Sequence, residues 1–258
     1  MDTLVASSLA FLNKPFSEAL RLIDEQGFGG IEVYYEGKHK LLWKEINNLL
    51  SSYDFHVYLH APFSDLNIAS FNETVLRESM EQIKSSLEVS AKIGAKVTTI
   101  HFGRYSPLGL SYPEEALKIN RETIKGLSKF GEECGIDLGF ENTPKGFGAM
   151  FGSCETLEKI IEETGINITL DIGHANTWDN GPIEFIKRLD NSIAHIHLHD
   201  NSGDSDTHTA IGKGVVDYKV VIGTLKEIKY KKALCLELLS MDDLQSSKER
   251  IEELLGAR

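Results

Sequence analysis

The chain has 258 residues, 41% of them apolar, and a formal net charge of −12. The length suits one barrel of about 250 residues or two small domains. The charge disfavours general attraction to nucleic acid, and the apolar runs fall well short of the ~20 residues of a membrane helix.

Strand and helix patterns alternate from the start. Residues 3–8 read as a strand and 15–27 as a helix, and Gly29-Gly30 lead into a second strand at 31–34. A helix at about 40–52 precedes a third strand at 55–59. Residues 73–93 carry a long amphipathic helical period, with Val75, Met80, Ile83, Leu87 and Ile93 among its apolar positions. Ser111-Tyr112-Pro113-Glu114-Glu115 reads as a helix start, with an early proline and acids in the first turn. Ser153 opens another helix, which Gly165 closes, and helices at about 182–189, 217–228 and 241–255 complete eight strand–helix units. Strands separated by helices imply a parallel sheet. No Ser/Gly tract or Pro-rich stretch interrupts residues 1–258, so the expectation is a single α/β domain, a (β/α)8 TIM barrel. The start of the chain lacks a basic region followed by an apolar one, which gives a cytoplasmic expectation. Cys134, Cys154 and Cys235 form no Cys-x-x-Cys pair and read as free thiols. The sequence leaves the oligomeric state open.

The strand ends carry the chemistry. Six successive runs finish in His60, His101, Glu141, Asp171, His197 and Glu237. In a barrel, residues at the C-terminal strand ends converge on one site. Alternation sharpens this: Tyr58 and His60, Asp137 and Glu141, Thr169 and Asp171, His195 and His197, and Cys235 and Glu237 share the side opposite the apolar residues. In the last strand but one, Ala194, Ile196 and Leu198 are assigned to the helix-facing side. His174 follows Asp171 by three residues, and Asp206 and His208 lie in the loop after that strand. Imidazoles and carboxylates without thiolates suit Zn²⁺, Mn²⁺ or similar ions, and nine ligand-type residues exceed one site. His195 and Glu32 read as residues behind the ligands. His199 and Asp200 read equally as ligands or loop hydrogen-bonders, and His39 and His56 as ordinary. Arg104, Lys145 and Lys213 follow strands and are candidates for an anionic substrate group. Tyr34, Phe63, Phe147 and Trp178 are candidates for the pocket wall.

His-Ala-Pro-Phe (60–63), His-Phe-Gly (101–103), Glu-Asn-Thr (141–143), Asp-Ile-Gly-His (171–174), His-Leu-His-Asp-Asn (197–201), Asp-x-His-x-x-Ile-Gly-x-Gly (206–214) and Leu-Glu (236–237) resemble the xylose isomerase-like TIM-barrel superfamily (AP endonuclease family 2). It includes endonuclease IV-type abasic-site nucleases and sugar or sugar-phosphate isomerases and epimerases. The nuclease resemblance implies three zincs: one on His60, His101 and Glu141, one on Glu141, Asp171, His197 and Glu237, and one on His174, Asp206 and His208. The epimerase resemblance implies one Mn²⁺ or similar ion on Glu141, Asp171, His197 and Glu237, with Glu141 and Glu237 as acid and base. His174 then joins Arg104, Lys145 and Lys213 as a substrate contact. One to three divalent ions per chain are therefore expected.

The nuclease signatures Asp-Thr-Cys-His and His-Leu-Asn-Asp stand here as Asp171-Ile172-Gly173-His174 and His197-Leu198-His199-Asp200. The Gly30-Ile31-Glu32 opening of the second strand resembles the isomerase branch. The sequence reading is a metal-dependent isomerase or epimerase of a small sugar or sugar phosphate. The alternative is a zinc-dependent phosphodiesterase acting on DNA at abasic sites.

Overall fold

A computed structural model describes residues 3–146 and 148–256. Eight parallel strands close into a barrel in sequential order: β1 (Leu4–Ser7), β2 (Gly30–Tyr34), β3 (His56–His60), β4 (Val97–His101), β5 (Asp137–Glu141), β6 (Ile168–Asp171), β7 (Ile193–Leu198) and β8 (Leu234–Leu236). The helices are α1 (Phe16–Glu25), α2 (Trp43–Leu50), α3 (Glu73–Ile93), α4 (Pro107–Ser111), α5 (Pro113–Cys134), α6 (Cys154–Thr164), α7 (Ile172–Asn176), α8 (Gly181–Leu189), α9 (Tyr218–Glu227) and α10 (Met241–Gly256). No helix among the described residues is long and apolar enough to cross a membrane.

Helix ends follow the expected signals. Asn72 accepts the N–H groups of Thr74 and Val75 to start α3, and Ser153 accepts from Thr156 to start α6. The longer helices bury an apolar stripe; in α1 this is Phe16, Ala19, Leu20 and Ile23. Burying each large apolar side chain stabilises by roughly 1.5–3 kcal/mol. The short α4 and α7 do not show in the apolar periodicity, because they are turn-length helices set by caps. Ser106 caps α4, and the Asp171 side chain caps α7 by accepting the His174 N–H at 2.7 Å.

Two cores result. The larger lies between strands and helices and contains the helix-facing strand residues, Ile31, Leu59, Phe140 and Leu170 among them. The smaller fills the lower barrel with Val5, Tyr58, Val97, Ala194, Ala233 and Cys235. Ala194 thus corrects the expected alternation. The register steps from Ile168↔Ile193 to Thr169↔His195, so β7 carries one extra residue at Ala194, a bulge that turns it inward. Above this plug the interior turns polar. Thr99 and Thr169 hydrogen-bond at 3.0 Å across Gly139, and the His195 ring stacks on Tyr58 with centroids 4.6 Å apart.

Candidate metal centre and cavity

Glu141, at the end of β5, is the hub of the upper barrel. Its Oε2 lies 2.7 Å from His101 Nε2 and 3.5 Å from His60 Nε2, while its Oε1 lies 2.7 Å from His197 Nδ1. His197 Nδ1 is also 3.4 Å from Glu237 Oε2 and 4.0 Å from Asp171 Oδ2. Strand ends β3, β4, β5, β6 and β7 and the residue after β8 therefore bring together His60, His101, Glu141, Asp171, His197 and Glu237. The ligand atoms of His60, His101 and Glu141 lie within 4.8 Å of one another, as do those of Glu141, Asp171, His197 and Glu237.

The rings are aimed from behind. His60 Nδ1 donates to the Ala61 carbonyl at 2.9 Å, which leaves Nε2 as the lone pair facing Glu141. His197 Nε2 meets Glu32 Oε2 at 3.0 Å, and His195 Nε2 lies 3.3 Å from the same oxygen. A carboxylate behind a histidine fixes its tautomer and raises its basicity as a ligand. Glu32 and His195, placed behind the ligands by alternation, occupy that position.

A second cluster forms beside the first. His174 Nε2 and His208 Nε2 lie 3.2 and 3.3 Å from Asp206 Oδ2. His174 Nδ1 donates to the Asn142 carbonyl at 2.7 Å and His208 Nδ1 to the Glu237 carbonyl at 3.0 Å. Asn142 also clamps β5 to β6. Its side chain accepts the Asp171 N–H at 2.7 Å and donates to the Asp171 carbonyl at 3.0 Å. The Asn142 clamp was not singled out from the sequence, although it sits inside the Glu-Asn-Thr motif.

The first cluster is anionic and buried, whereas the second has Asp206 exposed and His208 half-buried beside buried His174. Glu32, Glu141, Asp171 and Glu237 are at most 4% exposed. Among the described residues, every ion-pair partner of these carboxylates and of Asp206 is a histidine. Burial opposes charge on Glu141, but His197 and His101 hold its carboxyl well below the usual range. Burial likewise works to lower the pKa of His60, yet Glu141 pushes it up to about 9. Burial is again outweighed at His174, where Asp171, Asp206 and Glu141 push the pKa well above the ordinary value. The carboxylates that raise the pKa of His60 and His174 equally favour a divalent cation beside them. Glu141 Oε2 and Asp171 Oδ2 are buried without a well-aligned hydrogen bond. This donor set of imidazole nitrogens and carboxylate oxygens fits Zn²⁺ or Mn²⁺.

The clusters open on a cavity of about 360 Å³, lined by Tyr34, Phe63, His101, Glu141, His174, Asp206, His208 and Glu237. That is the size of a small-molecule pocket. Phe63 stacks on His101 with centroids 3.8 Å apart. Glu36 holds the Phe63 loop, accepting the N–H groups of Phe63 and Ser64 at 2.6 and 2.9 Å and the Ser64 hydroxyl at 2.6 Å. Arg104 lines the cavity, and its guanidinium has no ion-pair partner among the described residues. Lys145 lines it too, with its ammonium 2.8 Å from Asp179. Lys213 pairs with Asp243 at 2.8 Å and is not among the lining residues. Trp178 does not line the cavity either; its indole N–H donates to the Thr143 carbonyl at 2.9 Å and braces the loop after β5. Phe147 lies outside the described residues. Asp200 orders its loop, accepting the N–H groups of Asn201, Gly212 and Val216.

The family model of the xylose isomerase-like TIM barrel matches residues 20–256. An uncharacterised protein of Methanocaldococcus jannaschii, MJ1311, is 36% identical over 96% of this chain and 88% of its own length. The crystal structure of a D-tagatose 3-epimerase-like protein is 34% identical, with a TM-score of 0.91 over 98% of this chain and 97% of that one. Fructoselysine 3-epimerase of Escherichia coli O157:H7 is 23% identical over 88% of this chain and 86% of its own. A probable endonuclease 4 of Mycobacterium leprae is 27% identical over 66% of this chain and 68% of its own. With its closed eight-stranded barrel and a match across nearly its whole length, the chain belongs to the xylose isomerase-like TIM-barrel family.

Proposed function

We propose that this protein is a divalent-metal-dependent isomerase or epimerase of a ketose or ketose phosphate. The observation that carries this reading is the pair Glu141 and Glu237. Glu141 ends β5 and Glu237 follows β8, three places apart round the barrel; they line the same cavity and share His197 Nδ1 at 2.7 and 3.4 Å. Similarity to sugar 3-epimerases supports it.

Glu141, Asp171, His197 and Glu237 would hold the ion, which when bound polarises a carbonyl and its neighbouring hydroxyl. Glu141 and Glu237 exchange a proton with the substrate carbon from opposite faces, the sugar passing through an enediolate. Tyr34 and Phe63 exclude water on one side of the cavity. Arg104, free of a carboxylate partner, is placed to meet a phosphate.

Glu32 positions His197. Glu32→Gln keeps the shape but removes the charge behind the ring, and is expected to weaken metal affinity about 10–100-fold. Equilibrium metal titration against a chelating indicator checks this; unchanged affinity removes Glu32 from that role.

A second reading, a zinc phosphodiesterase cleaving DNA at abasic sites, is favoured by the cluster of His174, Asp206 and His208. The deciding experiment follows a panel of ketoses and their phosphates in D2O by proton NMR, with Mn²⁺- or Zn²⁺-loaded protein. An abasic oligonucleotide is assayed in parallel. Deuterium at a carbon beside the carbonyl, with formation of the epimer or aldose, is the expected result. Oligonucleotide cleavage with no sugar turnover reverses the assignment.

A further inference from the structure

His199 and Gly173 stand where the nuclease signatures have Asn and Cys, and the structure ties these two departures together. A Cβ on Gly173 would lie 2.0 Å from His199 Cε1 and 2.4 Å from both ring nitrogens. Any side chain at 173 therefore occupies the space of the imidazole. The His199 ring is fully buried. Its Nε2 lies 3.0 Å from Asp171 Oδ1 and 3.4 Å from Asp206 Oδ1, yet makes no aligned hydrogen bond with either. Its ring also stacks on His208 with centroids 3.8 Å apart and planes at 14°.

We propose that His199 is the fourth ligand of a closed metal site with His174, Asp206 and His208, and that Gly173 makes room for it. One ligand atom from each of these residues lies within 4.8 Å of all the others. His174 and His208 already spend their Nδ1 protons on backbone carbonyls, so their Nε2 lone pairs face the Asp206 carboxylate. Lone pairs facing a carboxylate repel it, and protons on two stacked rings repel each other. A cation at the centre removes both conflicts.

The fourth ligand changes what the site does. Structural zinc sites are closed by four protein ligands, whereas catalytic ones keep a position open for water or substrate. His199 does not line the cavity, while His174, Asp206 and His208 do. It therefore closes the coordination shell from behind. His208 has a backbone φ of 46°, a left-handed conformation that side chains adopt only when held there. An ion at this site pins the segment from Asp206 to His208 to α7 and serves as a structural clamp, not as a hydrolytic centre.

The test reads metal, not turnover, so it stands apart from the epimerase reading. Crystals of zinc-loaded wild-type protein are measured on both sides of the zinc edge. The expected result is an anomalous peak among His174, His199, Asp206 and His208, at the zinc–nitrogen distance of about 2.0–2.1 Å from His199 Nε2. In solution, Co²⁺-loaded wild type should show the intense visible bands of a tetrahedral site. His199→Asn and Gly173→Ala should each lose those bands and one ion per chain by elemental mass spectrometry. No peak at this position, or a peak with His199 Nε2 outside bonding distance, overturns the proposal. So does full metal content with an unchanged cobalt spectrum in folded His199→Asn. If that variant does not fold, the wild-type anomalous map decides alone.

Discussion

Glu237→Gln is expected to abolish interconversion of the sugar epimers, with kcat falling about 10²–10⁴-fold or more, while the barrel stays intact. Glutamine has the same shape and keeps one ligating oxygen, but it cannot hold and release a proton near neutral pH. The fold is protected because Glu237 supports it through its backbone. Its N–H donates to the Leu198 carbonyl at 3.1 Å and its carbonyl accepts from His208 Nδ1 at 3.0 Å. Among the described residues the ion-pair partners of its side chain are His197 and His208, at 3.4 and 4.0 Å. Thermal unfolding and steady-state kinetics together check the expectation. Solvent deuterium entering one epimer only would show that Glu141 still works its own face. Turnover within a factor of two of wild type would remove Glu237 from the chemistry.

Gly139→Ala should destabilise the barrel markedly for a single added methyl. Its Cβ would sit 2.2 Å from Thr169 Oγ1, 2.9 Å from Thr169 N and 3.2 Å from the Ile168 carbonyl carbon. Two of those atoms are backbone, so no rotamer change relieves the clash. Either β5 and β6 part or the strand pair twists. Overpacking of this kind destabilises by about 1–3 kcal/mol, with a Tm loss of roughly 2–4 °C per kcal/mol for a protein near this size. Adding Thr169→Ala should recover only part of the loss, because the backbone contact at 2.9 Å remains. A Tm unchanged by Gly139→Ala would show that the interior yields more easily than its Thr99–Thr169 hydrogen bond implies.

The barrel could be read from the chain because six of its eight strands signal themselves twice, by apolar alternation and by a ligand-type residue at or just after their end. What escaped the reading depends on relations between distant residues. Ala194 points inward because β7 carries one residue more than β6 across the bulge, a count that β7 alone cannot reveal. His199 reads equally as ligand or loop hydrogen-bonder, since its neighbours alone do not show that Gly173 vacates the space it fills. Lys213 reads as a candidate substrate contact from its place after a strand, and Trp178 as a candidate for the pocket wall. A loop position does not fix where a long side chain points, and Asp243 and the Thr143 carbonyl hold these two elsewhere. Glu36 has no motif to mark it, because most of its hydrogen bonds go to backbone groups of Phe63 and Ser64, far from it in sequence.

The hold of Glu36 on the Phe63 loop bears on how such pockets can be remodelled. The aromatic wall over His101 is carried by the segment after β3 but fastened by a residue that follows β2. A chimera that grafts the segment after His60 from a relative, without its counterpart of position 36, imports the wall and leaves its fastening behind. The graftable unit of substrate specificity in this barrel is therefore a pair of adjacent loops exchanged together.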